Sequence, residues 1–463
     1  MKEKKVTAKH VLAIISCALM GFISILTETS LNVTFPTLMK IFKVSLGTIQ
    51  WTTTGYLLMI AVIIIASSYL NERFLARQLF LTAAITFILG SLICGLANSF
   101  PVLLIGRLIS SFGAGLSIPL LFNLVVELMP RSRWGFWMGI AGLVIALAPA
   151  LGPTFGGTVI YYWNWRLIFH IVIGIGVIVL ILGAFAVEKY HPKKNISFDW
   201  GRYVVIVLAL VVFNLGFNQI ENGLTDIWFW LGMIATAFLV WLFIHLSKTS
   251  TKKLVNLAVF KCKAFIYALI AYFSLQFINI GISFVLPNYA QIVGGSTSLI
   301  GGLILLPGSI ISSIFNPIFG RFYDTHGAKV ALYTGSIMFI IASVLFMIFG
   351  LNLTTIMLMI FYTVLMLGHR MCFNNTMAEA MKVQTNQMRT DATAVFETTQ
   401  QYAGSMGTAV TAAIISIWQN RAGNYRVLTN QGSEAAFCFI AILSIVILFC
   451  YWKMFSLENK PKD

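Results

Sequence analysis

Glu28 lies within a long apolar run near the amino terminus, and Arg107 interrupts another. An ionisable side chain at bilayer depth costs about 2.5–3.5 kcal/mol on insertion scales, so each of these needs a reason to be there. Glu28 precedes Pro36 by eight residues, ~12 Å along a helix, and Arg107 follows Pro101 by six, ~9 Å. The two depths are comparable and the charges are opposite. Removal from water favours the neutral acid at Glu28, while an approaching cation, or Arg107 itself, favours the carboxylate. A group that takes a proton and a cation in turn is what exchange of one for the other requires. The plainer role for the same two residues is a static ion pair that braces two helices.

Glu397 and Arg370, in two later apolar runs, suggest a second pair of the same kind. Glu127 and Glu379 lie near the ends of their runs and read as solvated. His170 and His369 are isolated on apolar stretches, where a hydrogen-bonded core histidine is the commoner role and a proton relay the rarer one. Asn32, Asn279 and Gln400 are candidates for a polar cavity lining, since amide side chains in a membrane either join helices or face water. The six cysteines are dispersed, without a CxxC pair or a histidine spacing suited to zinc. They read as packing residues, with no metal and no cofactor expected beyond the proton as coupling ion. No nucleotide-binding or nucleophile motif is visible, so the chain does not read as an enzyme.

The surroundings of these residues set the fold class. The 463 residues are 59% hydrophobic and 10% charged, with a mean hydropathy of +0.88, against about 25% charged in ordinary soluble domains. That excludes a soluble enzyme, a disordered scaffold and a secreted disulfide module. Unbroken apolar stretches predict fourteen spans, at about 11–38, 47–69, 78–97, 101–129, 134–162, 165–187, 201–219, 226–247, 264–292, 297–319, 328–350, 353–381, 392–420 and 434–455. Placing the amino terminus in the cytoplasm puts 24 of the 31 Lys and Arg on that side and five on the other. Both termini are then cytoplasmic, and the net charge of +16 reads as topology rather than as a nucleic-acid surface. Trp51, Trp134, Trp163, Trp165, Trp228 and Trp452 fall near span ends, as interfacial anchors do.

An internal repeat is visible at an offset of 252 residues. Ser68, Leu70, Glu72, Arg73 and Arg77 after the second span have the layout of Gly320, Phe322, Asp324, Gly327 and Lys329 after the tenth. Within a residue the same offset relates Pro36 to Pro287 and Gly152 to Gly404. Two six-helix halves, 1–190 and 263–463, are expected, separated by two inserted spans and a linker at 191–262. The segment from Lys252 to Lys263 reads equally as a surface-lying amphipathic helix or as a basic linker.

On these residues the sequence resembles the major facilitator superfamily, in particular its fourteen-spanner drug:proton antiporters, which include lincomycin-resistance exporters. The resemblance covers essentially the whole chain. It rests on Asn32, Val33 and Pro36, the loop at 68–77, Arg107 with Gly113 and Gly115, and the run Pro149, Gly152, Pro153, Gly156 and Gly157. Trp165, Arg166 and Phe169, then Leu306, Pro307, Gly308, Gly320 and Asp324, complete it. The first loop departs from the family pattern, with Ser68, Glu72 and Leu75 where Gly, Asp and Gly are usual.

The resemblance implies a secondary transporter that exports amphiphilic, lipophilic or cationic compounds in exchange for protons, by alternating access. Glu28, Arg107, Glu397 and Arg370 would handle proton and cargo. Pro149, Gly152, Pro153, Gly156 and Gly157 would form a hinge or seal, and Glu72, Arg73, Arg77, Gly320 and Asp324 the gating loops. A monomer in a bacterial plasma membrane is expected, with small molecules, protons and lipid as partners and no nucleic acid. The competing functions are a proton-coupled nutrient or metabolite symporter and a non-transporting membrane sensor.

Overall fold

The structure is a computed structural model that describes residues 6–130, 133–188, 197–223, 225–249, 254, 256–385 and 388–458. Arg131, Lys193, Lys194, Lys252 and Lys253, counted above as topology signals, lie outside the described residues.

The described residues are predominantly helical. In order the helices are α1 Ala8–Phe42, α2 Leu46–Ile49, α3 Trp51–Arg73, α4 Ala76–Gly95, α5 Phe100–Leu128, α6 Trp134–Tyr162, α7 Arg166–Ala186, α8 Trp200–Asn218, α9 Ile227–Thr249, α10 Lys263–Ile292, α11 Ser298–Leu303, α12 Leu306–Phe349, α13 Thr355–Lys382, α14 Arg389–Gln419 and α15 Tyr425–Glu458. Helix dominates because a segment in hydrocarbon must satisfy its own backbone groups. Several starts are capped by side chains: Thr7 accepts from the His10 amide, Ser45 from Thr48, Asp199 from Arg202, Thr297 from Ile300 and Thr354 from Met357. Lys43, in the left-handed conformation, ends α1.

Twelve described stretches are long and apolar enough to cross a membrane, against the fourteen expected. Two places account for the difference. Residues 298–352 form one continuous apolar stretch, yet within α12 the backbone at Gly327 is non-helical, with φ +83° and ψ 160°. α14 is long enough but not apolar enough, because Thr, Gln, Ser and Gly dilute it.

Two groups of helices emerge from the packing. α1 packs against α5, α6 and α7, α3 against α5, and α4 against α5 and α7. In the second group α10 packs against α13, α14 and α15, and α12 against α13 and α15. The groups meet along α3–α14, α6–α11 and α1–α10. α9 packs mainly on α8 and exposes Trp228, Trp230, Phe238 and Trp241. Gly216 and Gly232 let the two backbones touch, the close approach that small residues allow between membrane helices.

Some local expectations need correction. Trp165 is only 2% exposed and packs edge-on against Phe42 and Phe169, so it is a core residue rather than an interfacial anchor. Trp163, Trp228 and Trp452 are well exposed at helix ends. The described part of the 252–263 segment is a short 3-10 helix, Leu257–Lys261. Its Val259 is buried, and the Val259 carbonyl accepts from Gln384 Nε2 at 3.0 Å, so this part is docked into the protein.

Candidate functional site

α1 carries Glu28 to the interior of the first group, where it is 4% exposed. Its carboxyl group makes no hydrogen bond or ion pair among the described residues, although it lies within electrostatic reach of Arg107. Arg107, on α5, is wholly buried. Its Nε donates to the Thr52 carbonyl at 3.2 Å, and its guanidinium lies 3.7 Å over the Tyr56 ring. Nη1 and Nη2 are buried without a hydrogen-bond partner. The acid and base are therefore brought into one region but not into a contact pair. The ring face offsets part of the buried charge, a role suited to the negative π-face of an aromatic ring.

Tyr56 is itself held by donating to the Ser24 carbonyl at 3.2 Å, which ties α3 to α1. Neither Tyr56 nor Thr52 was singled out from the sequence. The available signal was the run Thr52, Thr53, Thr54, Gly55, Tyr56 inside an otherwise apolar span. Asn32 is buried and accepts from Thr53 Oγ1 at 2.9 Å, so it joins helices.

In the second group Glu397 and Arg370 do not pair. Glu397 is partly exposed on α14 beside Tyr272, and no described group bonds to it. Tyr272 Oη donates to Gln400 Oε1 at 2.9 Å, and its ring stacks on Phe373 at 4.2 Å. Phe373 in turn stacks on His369, whose two ring nitrogens are buried without partners. Arg370, on α13, has a buried Nε without a partner and lies near Tyr362. Asn279 is partly exposed; its Nδ2 donates to Gln276 Oε1 at 3.5 Å. His170 is exposed rather than buried. Glu379, expected to be solvated, is 8% exposed; it accepts from Tyr323 Oη and from Lys382 Nζ, the latter at 2.8 Å. That cluster joins the residues after Gly320 to α13.

The proline-glycine run lies where α6 meets its neighbours. A methyl group at Gly152 would collide with Thr29 Oγ1, and one at Gly156 with the Ser30 carbonyl, so glycine is needed for α6 to approach α1. At Gly157 it would collide with the Ser298 carbonyl of α11, and Gly302 of α11 abuts the Pro153 carbonyl. α6 remains helical through Pro149 and Pro153. Several hydrogen bonds cross between the groups nearby: Asn288 Nδ2 to the Asn32 carbonyl at 3.3 Å, Gln291 Nε2 to the Val33 carbonyl at 2.8 Å, and Ser298 Oγ to the Gly157 carbonyl at 3.3 Å. They lie in the half of the bundle that contains Pro36. Glu72 and Arg73 close α3 as partly exposed residues, and Arg77 and Asp324 are exposed at the opposite end.

Residues 17–408 match the family model described as Major Facilitator Superfamily. The chain belongs to that superfamily. It is a multi-pass membrane protein of a transporter family. It is 33% identical over 421 residues to the lincomycin resistance protein LmrB of Bacillus subtilis, covering 88% of this chain and 85% of that one. It is also 31% identical over 437 residues to the uncharacterised MFS-type transporter YhcA of the same organism, covering 94% and 81%. Among solved structures it resembles a bacterial homologue of the human lysosomal transporter Spinster in an inward-facing, unoccupied conformation. The TM-score is 0.70 at 13% identity, covering 99% of this chain and 100% of that one.

Proposed function

We propose that this superfamily member exports amphiphilic, lipophilic or cationic compounds in exchange for protons, by alternating access. The observation that carries the reading is Glu28: a buried carboxyl group with no described partner, in electrostatic reach of a buried arginine that does not contact it. A static brace would hold the two in contact. A carboxyl group left without an ion pair keeps its proton until a cation enters, and loses the cation when a proton returns. The names of relatives such as LmrB support the choice of cargo class.

The finer topology belongs to the same proposal. Dividing α12 at Gly327 and counting α14 as a crossing makes fourteen spans, with both termini cytoplasmic in a bacterial plasma membrane. The halves are 1–190 and 263–463, with 191–262 between them. In support, α6 packs on α1 through Gly152, and α14 packs on α10 through Gly404 against Ile280, a relation close to the repeat offset. The crossing hydrogen bonds around Asn32, Gly157 and Gln291 then form an outer seal, and the cargo enters from the cytoplasmic side.

The energetics are adequate. Expelling a neutral compound against a hundredfold gradient costs ~2.7 kcal/mol, and one proton entering down ~150 mV supplies ~3.5 kcal/mol. One-for-one exchange with a monovalent cation loses the voltage contribution, and a second acid, Glu397, would restore it.

The test is accumulation of a fluorescent lipophilic cation in inverted membrane vesicles under an imposed proton gradient. Parent protein should accumulate it and Glu28→Gln should not. Equal accumulation by Glu28→Gln removes Glu28 from the mechanism. Movement of cargo with the proton favours a symporter, and no flux at all favours a sensor.

A further inference from the structure

α8 belongs to neither helix group, and its polar residues reach both. Gln50, at the start of α3, donates through Nε2 to Asn218 Oδ1 at 3.1 Å. Further along α8, Tyr203 Oη donates to the Val62 carbonyl at 3.2 Å, and Tyr203 packs with Phe198 on Tyr69. These contacts fasten both ends of α8 to α3. Between them stands Asn214, which is fully buried and faces the other group. Its Oδ1 accepts from Ser405 Oγ of α14 at 3.3 Å, and its side chain also hydrogen-bonds Tyr402 of that helix.

The same Ser405 hydroxyl lies 3.0 Å from the Thr54 carbonyl of α3, while Thr54 Oγ1 donates to Gln50 Oε1 and lies 3.4 Å from the Ser405 carbonyl. Gln50, Thr54, Asn214, Asn218 and Ser405 thus form one hydrogen-bonded knot where α3, α8 and α14 meet. Leu57 and Gly404 pack against each other beside it.

We infer that α8 is a clasp on this seam: it travels with α3, and Asn214 releases and recaptures Ser405 each time the two helix groups separate and close. The inference rests on the alternating-access reading above. Its physical basis is the asymmetry of attachment. The amino-terminal end of α8 is held by α3, through Tyr203 and the aromatic cluster on Tyr69, whereas its carboxy-terminal end touches both α3 and α14, so separation of α3 from α14 breaks the Asn214 contacts with Ser405 and Tyr402 and leaves the Tyr203 anchorage intact. Opening the seam exchanges these bonds for bonds to water, and the net worth of an interhelical hydrogen bond biases the resting protein towards the closed seam. Asn214 is in this sense a positioning residue for the transport cycle, and the inserted pair is a working part rather than a spacer.

The experiment uses the full chain with Leu57→Cys as a reporter, labelled by a membrane-impermeant maleimide; labelling of the parent protein's own cysteines is subtracted. Ser405→Ala and Asn214→Leu should each speed labelling of the reporter about threefold, the factor set by an average interhelical hydrogen bond. Ser405→Ala also removes the contact with the Thr54 carbonyl, so Asn214→Leu, which leaves that contact in place, is the variant that isolates α8. Thermal unfolding in detergent separates a loosened seam from a damaged fold, and the smaller Asn214→Ala change carries the test if Asn214→Leu does not fold. Unchanged labelling in a folded Asn214→Leu or Asn214→Ala variant overturns the clasp. Faster labelling in a protein that shows no flux keeps the clasp and overturns the transport reading instead.

Discussion

The guanidinium carbon of Arg107 on α5 lies 3.7 Å from the centre of the Tyr56 ring on α3, and both side chains are wholly buried. Because two of its nitrogens have no hydrogen-bond partner, the ring and the Thr52 carbonyl carry much of the burden of keeping this charge inside the bundle. A desolvated cation–π contact is worth about 2 kcal/mol, or roughly thirtyfold in an equilibrium. Tyr56→Leu should therefore lower thermal stability in detergent and reduce vesicle transport by at least about tenfold. Tyr56→Phe keeps the ring, loses only the bond to the Ser24 carbonyl, and should cost about 0.6 kcal/mol. Equal damage by both variants would assign the effect to the hydroxyl group.

The pH dependence of cargo binding follows from the sign of the charge on Glu28. Protonation neutralises the carboxylate and removes its attraction for a cation, so affinity for a lipophilic cation should fall as pH falls. In Glu28→Gln that slope should be absent and the affinity should stay at its low-pH level. Fluorescence titration of purified protein in detergent over a pH series measures both. A parent slope that persists in the variant would point to another acid, with Glu397 the first to replace.

Close approach of α6 to α1 predicts a steep contrast between glycines on one helix. Gly156→Ala drives a methyl group into the Ser30 carbonyl, and overpacking of this kind costs about 1–3 kcal/mol. Gly142→Ala, on the same helix, meets open space within 4 Å and should be neutral or slightly stabilising. Thermal unfolding of the two variants side by side is the measurement. Equal melting temperatures would mean that α6 does not pack as described.

Gly327 has φ +83°, a conformation that L side chains rarely adopt. Gly327→Ala should cost about 1–3 kcal/mol through backbone strain alone, since nothing lies within 4 Å of the added methyl group. Gly320→Ala also meets open space, in ordinary helical backbone, and should be tolerated. Thermal stability again decides, and a harmless Gly327→Ala would show that the break in α12 does not depend on glycine.

Much of the fold was legible in the sequence because the bilayer demands long apolar helices, and charged loops between them mark the turns. The harder places are instructive. α14 carries Glu397, Gln400, Gln401 and several Thr, a composition that reads as polar although the helix is packed among α3, α10 and α15. Glu379 sits near a helix end, where solvation is the usual outcome. Only the approach of Tyr323 and Lys382 covers and pairs it. Trp165 has the position of an interfacial anchor, and the neighbouring Phe42 and Phe169 make it core.

The amino-acid sequence by itself determined the all-helical membrane class, the glycine-rich run and the presence of acids and bases within apolar runs. These follow from local composition, which the cost of exposing backbone or charge to hydrocarbon makes decisive. Which charges meet was decided only by the tertiary structure. In lipid, the outward and inward faces of a helix are both apolar, so hydrophobic periodicity does not say which side faces a neighbour. Small residues and single hydrogen bonds choose the neighbours instead. That choice left Glu28 and Arg107 near each other but unpaired, kept Glu397 apart from Arg370, and set Asn214 against Ser405, 191 residues away.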